Sequence, residues 1–354
     1  MEAGDTAPHS FLQSVPTNTG FRQTVRKGIK NLHQAFELTE IMPKIANFLT
    51  RKSILQAEQI HSIEKANPST SKLTDYAQFI KLRLSALVVF SAAISFLIGS
   101  TGPVNWMKLF WLVIGGFLVT GASNGFNQVI EIDLDRLMNR TQNRPLPQHR
   151  MGVSEALILA AFMGISGILI LWIFMNPLSG ILGFLALFLY TLVYTPLKRK
   201  TPFAVFVGAF PGAIPPMLGC VAATSGHGSI TLAAILLFAV QFIWQFPHFW
   251  AIAWVSDEDY RKAGFRLLPS GERDKATAFH VLVYTLFLLP ISLFPVFFQL
   301  CGSVSAVVIL AAGTGFCYQA YRLYKDCTVK AARQLMFGSF LYLPVVQLAV
   351  LLGR

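Results

Sequence analysis

Long stretches without a charged side chain constrain this sequence more than any other feature. No Asp, Glu, Lys or Arg occurs in six windows of 24, 22, 42, 56, 46 and 20 residues, which are 84–107, 109–130, 156–197, 201–256, 276–321 and 334–353. A helix that crosses a bilayer needs about 20 apolar residues. Three windows therefore hold one such helix each and three hold two, which predicts nine membrane-spanning helices. This pattern excludes a soluble enzyme, a nucleic-acid-binding protein and a disordered chain as interpretations of the whole sequence.

Clusters of helix-breaking residues divide the three longest windows. Gly, Pro, Ser and Asn, which end helices and build turns, collect at 175–180, 224–229 and 299–303. The predicted fold is an all-α polytopic membrane domain over 76–354, preceded by a polar segment over 1–75. Within that segment a loose helical period over 37–63 indicates a helix lying on the membrane surface. The nine predicted spans are 84–102, 106–127, 155–175, 178–196, 202–224, 230–254, 276–298, 303–321 and 334–352.

The basic residues predict the orientation of the chain in the membrane. Of the 29 Lys and Arg residues, all but Lys108 and Arg354 fall in residues 1–83 or in alternate loops. These loops lie on one side of the bilayer, and the positive-inside rule makes that side cytoplasmic. We expect the N-terminus inside and the C-terminus outside. The net charge of +12 then reflects a face that meets anionic lipid, with no nucleic-acid partner.

A polar motif at the end of the second predicted helix indicates a metal site. Asn127, Glu131 and Asp135 are spaced i, i+4 and i+8, so they share one face of a helix. Carboxylate and amide oxygens are the ligands that Mg²⁺ prefers, and the ion is commonly held by one or two carboxylates together with substrate phosphates. The four cysteines show no metal-ligand spacing, and we interpret them as packing residues.

Cations and a second acidic cluster extend this site. Arg140 and Arg144 follow the first motif, and a guanidinium group pairs well with phosphate oxygens. The acidic run Asp257-Glu258-Asp259 lies in another loop of the same face and is also followed by cations. Two acidic clusters, each followed by basic residues, suggest two metal-bridged contacts with one diphosphate. Which of the three acids binds metal stays open.

His248 lies in an aromatic run near the end of the sixth predicted helix. The surrounding sequence is WQFPHFW. A histidine in an apolar helix is a packing residue, a member of a proton relay or, near an active face, a contact for a porphyrin. The preceding predicted helix contains several Gly and Pro residues, which permit close helix contacts and a kink beside a cavity.

Three segments together resemble the intramembrane prenyltransferase superfamily and, within it, the protoheme IX farnesyltransferases. They are NQVIEIDLDRLMNRTQNRPLP at 127–147, YTPLKRKTPFAVFVGAFPGAIPP at 194–216 and WQFPHFWAIAWVSDEDYRKAGFRLLP at 244–269. The resemblance implies nine helices around a central cavity, with a diphosphate at the cytoplasmic mouth. It also implies Mg²⁺ as cofactor, farnesyl diphosphate and haem B as substrates, and haem O as product.

The resemblance also assigns roles to individual residues. Asn127, Glu131 and Asp135 hold Mg²⁺ on the diphosphate, although Glu131 stands where the superfamily pattern has Asp, and Asp259, with Asp257, serves the second metal contact. His248 is the candidate haem contact. The residues expected to bind the diphosphate are Arg140, Arg144, Tyr194, Lys198, Arg199 and Lys262.

Two other functions remain as alternatives to this interpretation. One is an intramembrane prenyltransferase that acts on a quinone precursor such as 4-hydroxybenzoate. The other is a transporter with an ion relay, which should show an inverted internal repeat that this sequence lacks. We expect location in a bacterial inner membrane, with haem A synthase or an assembling terminal oxidase as candidate protein partners.

Overall fold

The computed structural model describes residues 71–354, and the predicted surface helix over 37–63 lies outside them. Regular structure in the described part is entirely helical, and nine of its helices are long and apolar enough to span a membrane. The chain is an integral membrane protein. The spans are α2 (Leu82–Gly99), α3 (Trp106–Ile130), α5 (Val153–Met175), α6 (Pro177–Leu197), α7 (Ala204–Ala222), α8 (Leu232–Val255), α10 (Lys275–Phe297), α11 (Ser303–Asp326) and α12 (Val329–Leu352). Three short helices complete the order: α1 (Lys72–Phe79), α4 (Ile132–Asp135) and α9 (Asp257–Lys262).

Polar residues at the helix starts explain where these spans begin. Asn105, Asn176, Thr231, Asp274 and Thr328 each accept a hydrogen bond from the backbone N–H three residues on. Such a side chain satisfies an amide that the first turn of a helix leaves without a partner. All three predicted dividing segments separate helices in the structure, so the predicted number of spans in this region is confirmed.

The predicted boundary between the last two spans was wrong. The loop between α11 and α12 contains only Cys327 and Thr328, whereas the sequence interpretation ended one helix at 321 and began the next at 334. Charged residues at these helix ends, including Arg322 and Arg333, continue the helical turns. Long cationic side chains extend their charged ends toward water while their stems stay along the helix, so their charge does not mark a helix end.

A break at Glu131 corrects the prediction of one continuous helix over the acidic motif. Glu131 has φ −106° and ψ 13°, and it separates α3 from the single turn of α4. The Glu131 N–H still donates to the Asn127 carbonyl at 3.0 Å, and the Asp135 N–H to the Glu131 carbonyl at 2.8 Å. The motif therefore keeps a helical stacking of its side chains although the helix itself is interrupted.

The helix α2 contacts spans from both ends of the domain. It packs against α3, α7 and α12, while α8 packs against α7, α10 and α12. The helices α7 and α8 are the most enclosed spans, and α5, α10 and α11 are among the least. Most side chains of α7 and α8 thus face protein, whereas the outer spans present many large apolar side chains on their exposed faces.

The contact between α2 and α7 depends on a glycine. A Cβ placed on Gly219 of α7 would overlap the backbone carbonyl of Ala92 in α2. Small residues at such positions let membrane helices approach closely.

We predict that Gly219→Ala lowers the apparent melting temperature of the detergent-solubilised protein, because α2 and α7 must separate to admit the methyl group. Overpacking of this kind costs about 1–3 kcal/mol. The matched control is Gly315→Ala on α11, where an added Cβ meets no atom within 4 Å. Equal melting temperatures for the two variants would contradict the close contact.

Candidate active site

A cavity of about 210 Å³ lies where the start of α2 and the ends of α3 and α6 meet α4, α9 and the loops that follow these two short helices. We call it the carboxylate cavity. Its polar lining comprises two carboxylates, one amide and four cations, and these are Glu131, Asp135, Asn127, Lys81, Arg140, Arg144 and Lys198. The formal charge of this set is +2, because the four cations exceed the two carboxylates by that number. The cavity is therefore suited to an anion.

An ion pair joins α6 to the end of α3 inside this cavity. The Lys198 Nζ lies 2.6 Å from both carboxylate oxygens of Glu131. Both side chains are largely buried, with 12% and 4% of their surfaces exposed. Asn127 donates to the Glu131 Oε2 at 2.9 Å. The carboxylate thus receives a full charge and an amide hydrogen bond, which removes most of the cost of its burial.

A second ion pair holds the loop that follows α4. The Arg144 Nη1 donates to the Asp135 Oδ2 at 2.7 Å, and only 1% of the Asp135 side chain is exposed. Thr141 Oγ1 donates to the Asp135 backbone carbonyl at 2.9 Å and fixes the same loop. The other carboxylate oxygen, Oδ1, is buried without a hydrogen-bond partner in the described residues. An orphaned carboxylate oxygen is costly unless a ligand or ion satisfies it.

Lys81 is a member of the cavity that the sequence interpretation missed. It links α1 to α2 in a left-handed backbone conformation with φ 50°, and its Nζ donates to the Asn127 Oδ1 at 3.2 Å. Burial and the nearby charges of Arg144 and Lys198 together lower the pKa of Lys81 to about 7, against the opposing effect of the two carboxylates. In the sequence, Lys81 is one of many basic residues before the first span. No neighbouring residue indicates that its backbone adopts a positive φ.

Aromatic rings form another part of the cavity wall. Tyr190 and Tyr194 lie in a π-helical turn of α6 with ring centroids 5.4 Å apart, and both line the cavity. Such turns are frequent at functional sites. Tyr260 accepts a hydrogen bond from Arg140 at 3.3 Å, and Phe265 lies 5.1 Å from the Lys198 ammonium. The cations and the ring faces thus meet in one place, where cation–π attraction adds to the ion pairs.

The second acidic cluster lies beside the cavity and does not line it. The Asp259 carboxylate accepts from the Arg140 backbone N–H at 3.1 Å and from Lys262 at 3.2 Å. Burial raises the pKa of the Asp259 carboxyl group. The two hydrogen bonds outweigh this effect, so the pKa is lower than its ordinary value. Asp257 pairs with Arg261 at 2.8 Å and with Arg273 at 3.5 Å. Asp259 therefore holds Arg140 in place, while Asp257 is engaged elsewhere.

Three further predicted site residues also fall outside the cavity lining, and one of them, Lys262, pairs with Asp259. Arg199 adjoins Lys198 but is absent from the wall. His248 lies between α8 and α12, where its ring stacks on Trp244 at 4.3 Å and its Nδ1 is 2.7 Å from the Ser339 Oγ. The roles assigned to these residues from the sequence stay predictions.

The oxygen atoms of the cavity suit a metal ion that is coordinated partly by the protein and partly by a bound substrate. Within residues 71–354, no group of three or more His, Cys, Asp and Glu side chains converges as a metal cage. Glu131, Asp135 and Asn127 offer only two carboxylates and one amide, with the Asp135 Oδ1 unsatisfied. This donor set fits Mg²⁺ bound together with phosphate oxygens, because Mg²⁺ is usually held by one or two carboxylates plus substrate phosphates.

Comparison with known proteins gives consistent similarities across the described domain. Residues 88–343 match the UbiA prenyltransferase family. The chain is 46% identical over 285 residues to a protoheme IX farnesyltransferase from Cytophaga hutchinsonii, an alignment that covers 80% of this chain and 99% of that protein. A protoheme IX farnesyltransferase from Christiangramia forsetii is 45% identical, with 81% and 96% covered.

Solved structures share the fold at much lower sequence identity. A digeranylgeranylglyceryl phosphate synthase superposes with a TM-score of 0.67 at 20% identity, covering 80% of this chain and 99% of that one. A UbiA homologue from Archaeoglobus fulgidus, bound to GPP and Mg²⁺, gives a TM-score of 0.57 at 13% identity, with 78% and 99% covered. These superpositions confirm the predicted arrangement of helices.

We predict that Lys81→Met weakens the binding of inorganic diphosphate by about tenfold or more, since a charge-assisted hydrogen bond contributes about 1.5–3 kcal/mol. Calorimetry on the purified protein with Mg²⁺ present measures the affinity. Lys72→Met is the matched control, because Lys72 is 64% exposed and lies 3.9 Å from Glu155, outside the cavity lining. Equal affinity for the two variants would remove Lys81 from the site.

Proposed function

The chain belongs to the UbiA prenyltransferase family, and from that premise we propose that it transfers the farnesyl group of farnesyl diphosphate to a vinyl group of haem B. Water adds in the same reaction, and the products are haem O and diphosphate. The carboxylate cavity is the observation that carries the proposal, because two carboxylates and four cations converge at the end of an apolar bundle. The choice of haem as acceptor is supported by the farnesyltransferases that match 80% of this chain.

Mg²⁺ bound by Asn127, Glu131 and Asp135 with the diphosphate would supply Lewis-acid stabilisation of the departing negative charge. The fit depends on the unsatisfied Asp135 Oδ1 and on the two carboxylates that face the cavity. We propose a subsidiary role for Asp259, whose hydrogen bond to the Arg140 backbone keeps that residue at the cavity wall.

The cations of the cavity bind and stabilise the leaving group. Arg144 and Lys198 pair with carboxylates and both line the cavity, so an anion bound there would meet two cations. Preorganised donors stabilise charge that develops in a transition state without a cost of reorganisation at that moment. The loss of diphosphate leaves an allylic cation on the farnesyl group. Tyr190 and Tyr194 line the wall where this cation forms, and their ring faces attract it.

The cavity is large enough for the diphosphate but too small for the farnesyl chain and the porphyrin. A volume of about 210 Å³ accommodates the diphosphate end of a substrate, whereas pockets that enclose a drug-sized ligand occupy about 300–1,000 Å³. The farnesyl chain and the porphyrin must therefore occupy space between the spans. Apolar side chains there exclude bulk water, so the cation survives until the haem vinyl group attacks it.

The sequence supports a more specific location for this activity. We propose that the protein lies in the inner membrane of a bacterium with its basic loops in the cytoplasm, following the distribution of Lys and Arg. The diphosphate site then opens to the compartment that contains Mg²⁺ and farnesyl diphosphate. Haem A synthase or an assembling terminal oxidase would receive the product.

The activity is tested directly by incubating the purified protein with farnesyl diphosphate, Mg²⁺ and haem B. We expect mass spectrometry to detect a hydroxyethylfarnesyl haem that is absent when either substrate is omitted. The same preparation is assayed with 4-hydroxybenzoate. Prenylation of the benzoate without reaction of haem would overturn the proposal in favour of a quinone-precursor enzyme, and transport without either product would place the protein outside the enzymes.

Asp135→Asn should lower diphosphate release by about 100-fold or more, the typical effect of removing one preorganised electrostatic group. Asp133→Asn is the matched control in the same short helix, since Asp133 is 70% exposed and pairs with Arg136. Both variants must elute as monodisperse protein, because Asp135→Asn leaves Arg144 without its carboxylate. Release by Asp135→Asn at the rate of the control would contradict the metal assignment.

A further inference from the structure

Three polar side chains form a stripe along the otherwise apolar helix α8. Gln241, Gln245 and His248 are spaced i, i+4 and i+7, which places them on one face of the helix. Each is at least nine-tenths buried, with exposed fractions of 8%, 2% and 7%. Polar groups inside a membrane are costly and commonly mark a pathway for a substrate, an ion or a proton. The reaction proposed above leaves this stripe without a role.

The hydrogen bonds of His248 determine which ring nitrogen carries the proton. Ser339 Oγ donates its single hydrogen to the Met336 carbonyl at 2.6 Å. It can therefore only accept from His248, whose Nδ1 lies 2.7 Å away. The hydrogen of neutral His248 is on Nδ1, and Nε2 keeps its lone pair. Nε2 has no hydrogen-bond partner among the described residues, so Ser339 holds the ring as a base with a free acceptor.

Gln241 supplies a further unsatisfied polar atom on the same face. Gln241 Oε1 is buried and lacks a partner in the described part of the chain. Gln245 donates to the Ala209 carbonyl at 2.9 Å, and its Oε1 fills the space that the missing side chain of Gly212 leaves. A buried acceptor without a donor is the usual location of an ordered water molecule, which donates to two such groups.

Contacts through α7 connect the stripe to the carboxylate cavity. The Tyr194 ring, part of the cavity wall, packs directly on Gly208, and the adjacent Ala209 carbonyl accepts from Gln245. His248 precedes the end of α8 by seven residues and Asn127 precedes the end of α3 by three. At 1.5 Å per residue, His248 is about 6 Å farther from the end of α8 than Asn127 is from the end of α3. His248 is thus set farther inside its apolar helix than Asn127 is inside α3.

We propose that His248 is the proton acceptor for the water molecule consumed in the reaction, and that Gln245 and Gln241 hold water beside it. The inference rests on the proposed function. The bond between the farnesyl carbon and the diphosphate oxygen breaks, and the electron pair leaves with the diphosphate. The terminal vinyl carbon bonds to the farnesyl carbon, which leaves a cation on the vinyl carbon next to the porphyrin. Water adds its oxygen to that carbon, and one of its protons passes to the His248 Nε2.

The same cation can also react without water, and the second product makes it possible to measure water addition separately. Without water capture, the cation loses a proton from carbon and gives a farnesylated haem that is lighter by one water. The ratio of the hydroxylated product to the lighter product is measured by mass spectrometry. This ratio is independent of the amount of active protein, so it separates a role in water addition from a loss of folded enzyme.

The experiment compares four variants of the full chain in the presence of farnesyl diphosphate, Mg²⁺ and haem B. His248→Gln should lower the product ratio by about tenfold or more, because general base catalysis contributes about 10²–10⁴-fold. Gln241→Leu and Ser339→Ala should lower it by smaller factors, through loss of the water and of the ring orientation. Gln319→Leu is the matched control, since its Oε1 is also buried without a partner but it lies on α11. The control should keep the wild-type ratio.

Distinct outcomes overturn the two proposals. An unchanged product ratio in His248→Gln removes His248 from water addition, and an unchanged ratio with weaker haem binding makes it a haem contact only. If His248→Gln forms neither product, the ratios of Ser339→Ala and Gln241→Leu decide, and wild-type ratios in both overturn the inference. Absence of any farnesylated haem with the wild-type protein instead contradicts the proposed function.

Discussion

Two buried carboxylates at the edge of an apolar bundle must be neutralised by cations, and the rest of this structure depends on that requirement. Glu131 and Asp135 are almost completely buried, and an unpaired charge there would cost several kcal/mol. Their partners, Lys198 and Arg144, come from a different helix and from the loop after α4. Formation of the ion pairs thus brings the ends of α3 and α6 together. The same pairs keep cations near a site where an anion can replace the carboxylates as their partner.

The proposed reaction uses polar groups at two places in the bundle. The first is the charged cavity at the ends of the helices, and the second is the uncharged stripe of Gln241, Gln245 and His248 inside α8. The separation matches the demands of the reaction, because a diphosphate needs cations whereas a reacting carbocation needs a dry environment with one controlled water. Tyr194 packs between these two places through its contact with Gly208.

Sequence reasoning predicted the parts of this structure that follow from local composition. The absence of charge identified the spans, and the spacing of Asn127, Glu131 and Asp135 identified residues that do meet in one cavity. It misplaced the turn between α11 and α12 because cations can continue a helix at the membrane edge. It missed Lys81, whose role depends on a left-handed residue and on a contact across 46 positions of sequence. Such long-range pairings have no local signature.

The short link between α1 and α2 determines whether the Lys81 side chain lies in the carboxylate cavity. Only Ile80 and Lys81 separate these helices, and α1 is held by the Asp75–Arg150 ion pair at 2.8 Å and by the burial of Phe79. Each added residue in a helix rotates the following side chains by about 100°. An insertion or deletion in this link would therefore rotate Lys81 out of the cavity while leaving every span intact. The two-residue length of the link is thus as much a part of the anion site as the lysine itself.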